Sequence, residues 1–444
     1  MKLFSVTLLL VAFITFANAQ QPTILTLDQA IKLALENNLS VIKAQNNVDA
    51  AQSSVLAAYG NYLPTLSASG GWDRSQRTGQ RSIQGITIPG ATSTSTSNSF
   101  QAGVSLGYTI FDGFRREASF NSTSASAIST EQIVVWTRQS IRYQIESVYL
   151  NVLKFEQLVK VNDENLKRDK QQLERITESN RVGALSLADV YRQQSQVAAD
   201  EYKVIQAQND YDNAKADLVA LIGLDMKVDY QFSDQSISTV IDSVELNATF
   251  KKYNNFNELV KRALSRRPDY LAAKENYDAS ESGVTAARSG YFPRVSASAG
   301  YGFSNSELSK LTDNKSISWG LNLNWNIFDA FQTNEALQTA IVTKKNSDAT
   351  LKQSERDISV EVKKALLGLE AAKKQVEVSQ KGLQSATEDR KIAEERYNLG
   401  AGTLLDLLTA NAGLVNAEAN NINSSFSFNI AKRNLEYVIG ERTN

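Results

Sequence analysis

The chain has 444 residues, with 47 basic and 48 acidic side chains and neither histidine nor cysteine. Balanced charge offers a nucleic acid no electrostatic footprint, and the missing cysteine excludes disulfides, thiolate nucleophiles and a lipid-bearing N-terminal cysteine. Without histidine the commonest general base and zinc ligand are gone, so no enzymatic, metal or cofactor role is expected.

Residues 1–19 read as a secretory signal peptide: Lys2 is the positive region, Leu3 to Phe16 the apolar stretch, and Ala17-Asn18-Ala19 a small-x-small cleavage site. The apolar run, about 14 residues, is short of the roughly 20 that a spanning helix needs. No later segment reaches that length. An exported chain of this kind is either soluble or enters a membrane as a β-barrel.

Residues 20–223 form the first of two structural repeats. Its opening helix places Val41, Ala44, Val48, Ala51, Val55 and Ala58 at alternating steps of three and four, a coiled-coil seam. Pro64 then marks a switch to extended chain. Strands are expected at about 63–73 and 99–111, with the Ser-, Thr- and Gly-rich segment between them an exposed loop. In the first strand Leu66, Ala68 and Trp72 lie opposite Thr65, Ser67 and Ser69. In the second Phe100, Ala102, Val104, Leu106, Tyr108 and Ile110 lie opposite Ser99, Gln101, Gly103, Ser105, Gly107 and Thr109.

The second strand ends in IFDGF, where the period changes from two to 3.6, and Asp112 is expected to cap the helix that follows. That helical segment runs from about Phe114 to Ser179, some 65 residues or about 100 Å. Its distal apolar positions thin to Val159, Leu166, Leu173 and Ile176, a stripe that suits a coiled-coil seam or a solvated spectrin-like rod. A glycine turn at 180–186 (RVGALSLADV, 181–190) and a return helix complete the repeat.

Residues 224–255 have no counterpart and read as a connector. The second repeat, 256–444, restates the order. LVKRALSRR (259–267) answers AIKLALENN (30–38), and YFPRVSASAGY (291–301) answers YLPTLSASGGW (62–72). The seam positions become Tyr270, Ala273, Tyr277, Ser280, Val284 and Ala287. Strands are expected at about 293–303 and 316–328, followed by IFDAF with Asp329 as the cap and a turn at 397–403 within NLGAGTLLDL. Ser186 to Asp189 and Thr403 to Asp406 both fit the capping-box pattern.

Strands of about ten residues match a tilted crossing of the hydrocarbon layer. Their polar faces are small and mostly uncharged, and Trp72, Phe100, Tyr108, Tyr301, Phe303, Trp319 and Trp325 are expected in interfacial girdles near strand ends. An ordinary half-buried sheet also alternates. Four strands are too few for a barrel with a lumen, so several chains must pool theirs.

In this order and duplication the chain resembles the TolC family of outer-membrane efflux factors. The resemblance rests on the twofold helix-strand-strand-helix repeat, YLP and YFP before the strands, IFD after them, and the two glycine turns. It implies a long antiparallel α-helical coiled-coil barrel joined to a transmembrane β-barrel, built by a homotrimer with twelve strands and twelve helices. It places residues 224–255 in an equatorial belt and the turns at a periplasmic tip, about 100 Å from the barrel. Val182, Gly183 and Ala184, with Leu399, Gly400 and Ala401, match the grooves that meet a periplasmic adaptor (membrane fusion) protein. Asp406 matches a carboxylate ring narrowing the tip, and Asp189 and Tyr397 match residues that hold it closed. Gly402 stands where the family places an arginine, and Thr409 fills a second acidic position.

The implied function is a passive exit duct in the outer membrane of a Gram-negative bacterium. No GxxxxGK[ST] phosphate loop occurs, so energy would come from an inner-membrane pump reached through the adaptor. A general diffusion porin and a soluble periplasmic coiled-coil scaffold are the alternatives.

Overall fold

A computed structural model describes residues 23–441 apart from 84 and 235–240, so the expected signal peptide lies outside the described residues. In chain order the elements are β1 (Thr23–Leu25), α1 (Leu27–Asn37), α2 (Leu39–Gly60), β2 (Thr65–Ile83), β3 (Ile86–Phe111), α3 (Arg115–Arg181) and α4 (Leu187–Ile222). There follow β4 (Tyr230–Phe232), α5 (Ser243–Lys252), α6 (Phe256–Arg266), α7 (Pro268–Arg288), β5 (Arg294–Asn305), β6 (Lys315–Asn324), α8 (Gln332–Asn398) and α9 (Leu404–Val438). Among the described residues no helix is long and apolar enough to cross a membrane.

The chain divides into two units. The first comprises Met1–Asn38, Arg142–Asn247 and Ala371–Arg433. Thr26 opens its α1 with a reciprocal capping box to Gln29. α1 buries Ala30, Ile31 and Ala34, and its contact with α4 ends where Asn38 Nδ2 donates to the Leu221 carbonyl at 3.1 Å. β1 and β4 pair in parallel, and Tyr149 locks them, donating to the Leu25 carbonyl at 2.9 Å and meeting Phe232 edge-on. The connector is therefore partly structured. Gln380 Nε2 donates to the Ile241 carbonyl at 2.7 Å, and Lys432 pairs with Glu245 at 3.1 Å. Glu146, also buried, is neutralised by Arg142 and Arg433.

The second unit comprises Leu39–Ile141, Ala248–Glu370 and Asn434–Asn444. Asn255 caps α6, and Pro268 forces the break between α6 and α7, leaving Arg267 extended. Arg267 is buried between Asp269 and Glu361 and lies over the Trp136 ring, itself stacked on Tyr437 at 5.1 Å. In α2 the expected seam is buried at Val41, Ala44, Val48 and Ala58. In α7 it shifts by one position, to Ala272 and Ala279. The reason is local: Ser129 and Ser122 on α3 donate to those two residues' carbonyls at 3.0 and 2.9 Å, and alanine lets the helices approach that closely.

This unit also holds an antiparallel sheet in the order β2-β3-β5-β6. The expected loop between the first two strands is instead a continuation of both, with Asp73 opposite Ser99 and pairing unbroken to Gln80 opposite Thr92. Hydroxyl pairs across the strands, Ser75 with Ser97 at 2.9 Å and Thr78 with Thr94 at 3.1 Å, supply what an apolar face would otherwise provide. Gly85, at φ 84°, makes the reversal. The fourth strand stops at Asn324, short of the expected 328. The Trp325 indole N–H donates to the Tyr291 carbonyl at 3.2 Å, and Ala330 and Phe331 turn left-handed just beyond.

Candidate functional site

The first unit brings the two glycine turns together. Ile176 and Val190 from one hairpin and Leu404 from the other form a buried cluster, with Leu173, Leu185, Tyr397 and Leu408 packed on it. Each turn has the same construction. Gly183 (φ 78°) and Gly400 (φ 72°) take the left-handed conformation, and the next residue's N–H closes back on the helix, Ala184 to Ser179 at 2.8 Å and Ala401 to Arg396 at 2.9 Å. Val182 and Leu399 beside them are 67% and 83% exposed, so each turn presents one bare apolar side chain next to bare backbone.

Ser186 Oγ accepts the Asp189 N–H at 3.2 Å and donates to its carboxylate at 2.7 Å; Arg192 holds the other carboxylate oxygen at 3.0 Å. Thr403 and Asp406 form the full reciprocal box, with distances of 3.0, 2.8 and 3.1 Å. Hydrogen bonds from the Thr403 main chain, then its hydroxyl, hold the Asp406 carboxyl below the usual range, with Arg396 adding charge attraction. Tyr397 is pushed up by burial and then by the Asp189 charge, against the pull of Gln172 and Arg175. Thr409 Oγ1 donates to its own helix, at the Leu405 carbonyl, 2.8 Å away. Gly402 carries no charge, but Arg396, Arg192 and Arg175 bring guanidinium groups to the same turns from positions that sequence reading passed over. Only their spacing of three or four from Asp189 and Gly400 could have marked the first two.

In the second unit, IFDGF and IFDAF build equivalent strand-to-helix junctions. Asp112 accepts the N–H groups of Arg115 and Arg116 at 3.1 and 3.2 Å, and Asp329 accepts that of Thr333 at 2.9 Å. The flanking phenylalanines meet edge-to-face in both, Phe111 with Phe114 at 5.7 Å and Phe328 with Phe331 at 5.6 Å. Aspartate caps; the phenylalanines clamp the bend.

The sheet's apolar face is bare. Ile317, Trp319 and Leu321 are 78%, 86% and 76% exposed, a band that soluble monomers rarely leave in water. Trp72 stacks on Phe100 at 6.2 Å at one margin, with Phe303 and Tyr301 in edge contact one and two steps below. Tyr108 and Trp325 lie toward the other. Trp319 departs from the expected girdle. It sits midway along β6 opposite Ala299. The opposite face carries Ser67, Ser105, Ser298 and Asn322, all uncharged.

A sequence model of the family described as "Outer membrane efflux protein" matches residues 30–224 and 259–441. The chain is 23% identical over 396 residues to the pyoverdine export outer membrane protein OpmQ of Pseudomonas putida, spanning 88% of this chain and 81% of that one. It is 21% identical over 428 residues to the outer membrane protein TolC of Escherichia coli, spanning 93% and 81%. Its fold is similar to that of a membrane protein from Pseudomonas aeruginosa, with a TM-score of 0.79 at 21% identity over 93% and 90% of the two chains.

Proposed function

Because the chain belongs to the outer membrane efflux protein family, we propose that it works as a passive exit duct, gated at its glycine turns and filled by a pump elsewhere. As a family member it is an outer-membrane channel component of efflux machinery, with a periplasmic helical extension and no enzymatic activity. The finer reading has three parts. Several copies pool their four strands each, because the edges of a lone sheet in lipid would be left without hydrogen bonds, and the family resemblance makes the number three and the barrel twelve-stranded. Asp189, Tyr397, Asp406 and Thr409 line the gate, where acidic groups favour cations in a constriction. Val182-Gly183-Ala184 and Leu399-Gly400-Ala401 receive the hairpins of a periplasmic adaptor, which couples the duct to an inner-membrane pump.

The observation that carries this reading is the exposure of Val182 and Leu399 beside left-handed glycines, a surface suited to an apolar side chain from a partner helix. Adaptor binding would favour the open arrangement of the turns. A photocrosslinker at Ala184 or Ala401 should trap the adaptor during export, and deleting the gene with the pump intact should sensitise cells to exported compounds. Failure to trap an adaptor during active export would overturn the tripartite reading. Large constitutive conductance of the purified protein in planar bilayers would mark a diffusion porin instead.

A further inference from the structure

Asp169 on α3 and Asp200 on α4 bury their carboxylates inside the unit that carries the turns, each 1% exposed. Asp200 is well served: Gln196 Nε2 donates to it at 3.0 Å and Lys203 Nζ at 3.1 Å. Asp169 is not. With both aspartates ionised, neither Asp169 oxygen receives a hydrogen bond of normal geometry, the Gln193 side chain standing only near enough to pull the carboxyl down, and the Oε1 of fully buried Gln193 has no donor either. Gln193 Nε2 donates instead to the Asp169 main-chain carbonyl at 3.1 Å. Arg168, the next residue along α3, attracts the carboxylate but makes no hydrogen bond to it, since adjacent helical positions point in different directions. From α9, Glu418 faces Arg168 and Glu164 on this stretch of α3, with Arg390 of α8 beside it, and from α8 Tyr397 faces Gln172 and Arg175.

At Asp169 and Gln193 the deficit is of donors, while the buried Arg168 Nε beside them lacks an acceptor. A single proton on Asp169 lessens the shortage of donors, turning one of its oxygens into a donor toward Asp200 while Asp200 keeps its charge against Lys203, and leaves the other Asp169 oxygen and Gln193 Oε1 as before.

We propose that Asp169, Asp200 and Gln193 form a buried proton-binding site whose occupancy sets how firmly α3 and α4 close on each other beside their turn. The site lies about two helical turns from Ile176 in the cluster under the glycine turns. The electrostatics agree. Burial, then the hydrogen bond to Asp200 and the Asp200 charge, push Asp169 up to about 7. Burial also opposes the charge on Asp200, but hydrogen bonds from Asp169, Gln196 and Lys203 outweigh it and bring that carboxyl down. An aspartate whose folded value stands above its unfolded value of about 3.9 holds the proton more tightly when folded. Its contribution is complete below about pH 4, declines as pH rises, and is lost above about pH 7.

The test uses purified full-length protein and reads the site without reference to transport, so it separates this proposal from the duct reading. Infrared difference spectra should show a protonated-carboxyl band at about pH 6 that titrates away near pH 7 and is missing in Asp169→Asn. The helical melting temperature of the wild type should fall between about pH 5 and pH 8.5, while that of Asp169→Asn stays level. A second variant, Asp200→Asn, should lower the midpoint of the band by removing the charge that raises it. No titrating band in the wild type, or the same band in Asp169→Asn, would overturn the proposal. So would a wild-type melting temperature at about pH 8.5 that calcium raises over chelator, since the occupant would then be a metal cation.

Discussion

At Ala330 the chain holds a side chain where its own other half uses glycine. Gly113 and Ala330 occupy equivalent places in IFDGF and IFDAF, with φ of 70° and 54°, and the phenylalanines after them, Phe114 and Phe331, sit at 69° and 68°. A left-handed residue with a Cβ costs about 1–2 kcal/mol, a strain held here by the paired phenylalanine rings and the aspartate caps. Ala330→Gly should therefore stabilise the folded protein by up to about 1 kcal/mol, read as a rise in melting temperature. Gly113→Ala should do the reverse and more strongly, since its Cβ would stand 2.8 Å from both Phe292 Cβ and the Ser289 carbonyl oxygen. Equal effects at the two sites would show that backbone conformation, and not crowding, governs the junction.

The helix hairpins are set by their ends. Ser186 starts α4 and Thr403 starts α9, each bound to the aspartate three residues on. Ser186→Ala should cost about 1 kcal/mol and leave α4 fraying at its first turn, visible as faster amide exchange there. The box in α9 also provides a pH handle. Asp406 is held below its ordinary value, so its contribution is present above about pH 4 and is lost as pH falls through the lower folded value. Thr403→Val should flatten that acid limb. Such boxes were legible in the sequence, as were the strand faces, the duplicated order and the two turns, because each leaves a local signature of spacing. The extension of β2 and β3 was not, because Ser, Thr and Gly serve hydrated strands and loops alike. Asp169 was invisible for the same kind of reason: in VNDENLKRDKQQLERI it reads as one more solvated charge, and only the neighbouring helix buries it.

At the scale of the molecule the open question for the chain alone is its two sheet edges. β2 and β6 each lack one neighbour among the described strands, and both faces of β6 are largely open. Neighbouring copies would supply the missing partners, β6 of one against β2 of the next. The two faces of β6 then have opposite tolerances. Trp319→Arg places a charge at mid-strand on the lipid side, at a cost of about 2–4 kcal/mol, and should keep the protein out of the outer-membrane fraction. Ser318→Arg, one residue away on the face toward the lumen, should insert normally and shift the reversal potential in planar bilayers toward anions. Equal loss of insertion by both variants would sink the assignment of faces.

The β2–β3 hairpin continues beyond Trp72 and Phe100 with hydroxyls and charges on both faces, and its Gly85 end is the one away from α2 and α3. With those helices in the periplasm, this stretch stands in the open outside the cell. Its pairing draws only on its own two strands, so its residues can be exchanged while the four-stranded part of the sheet keeps its register.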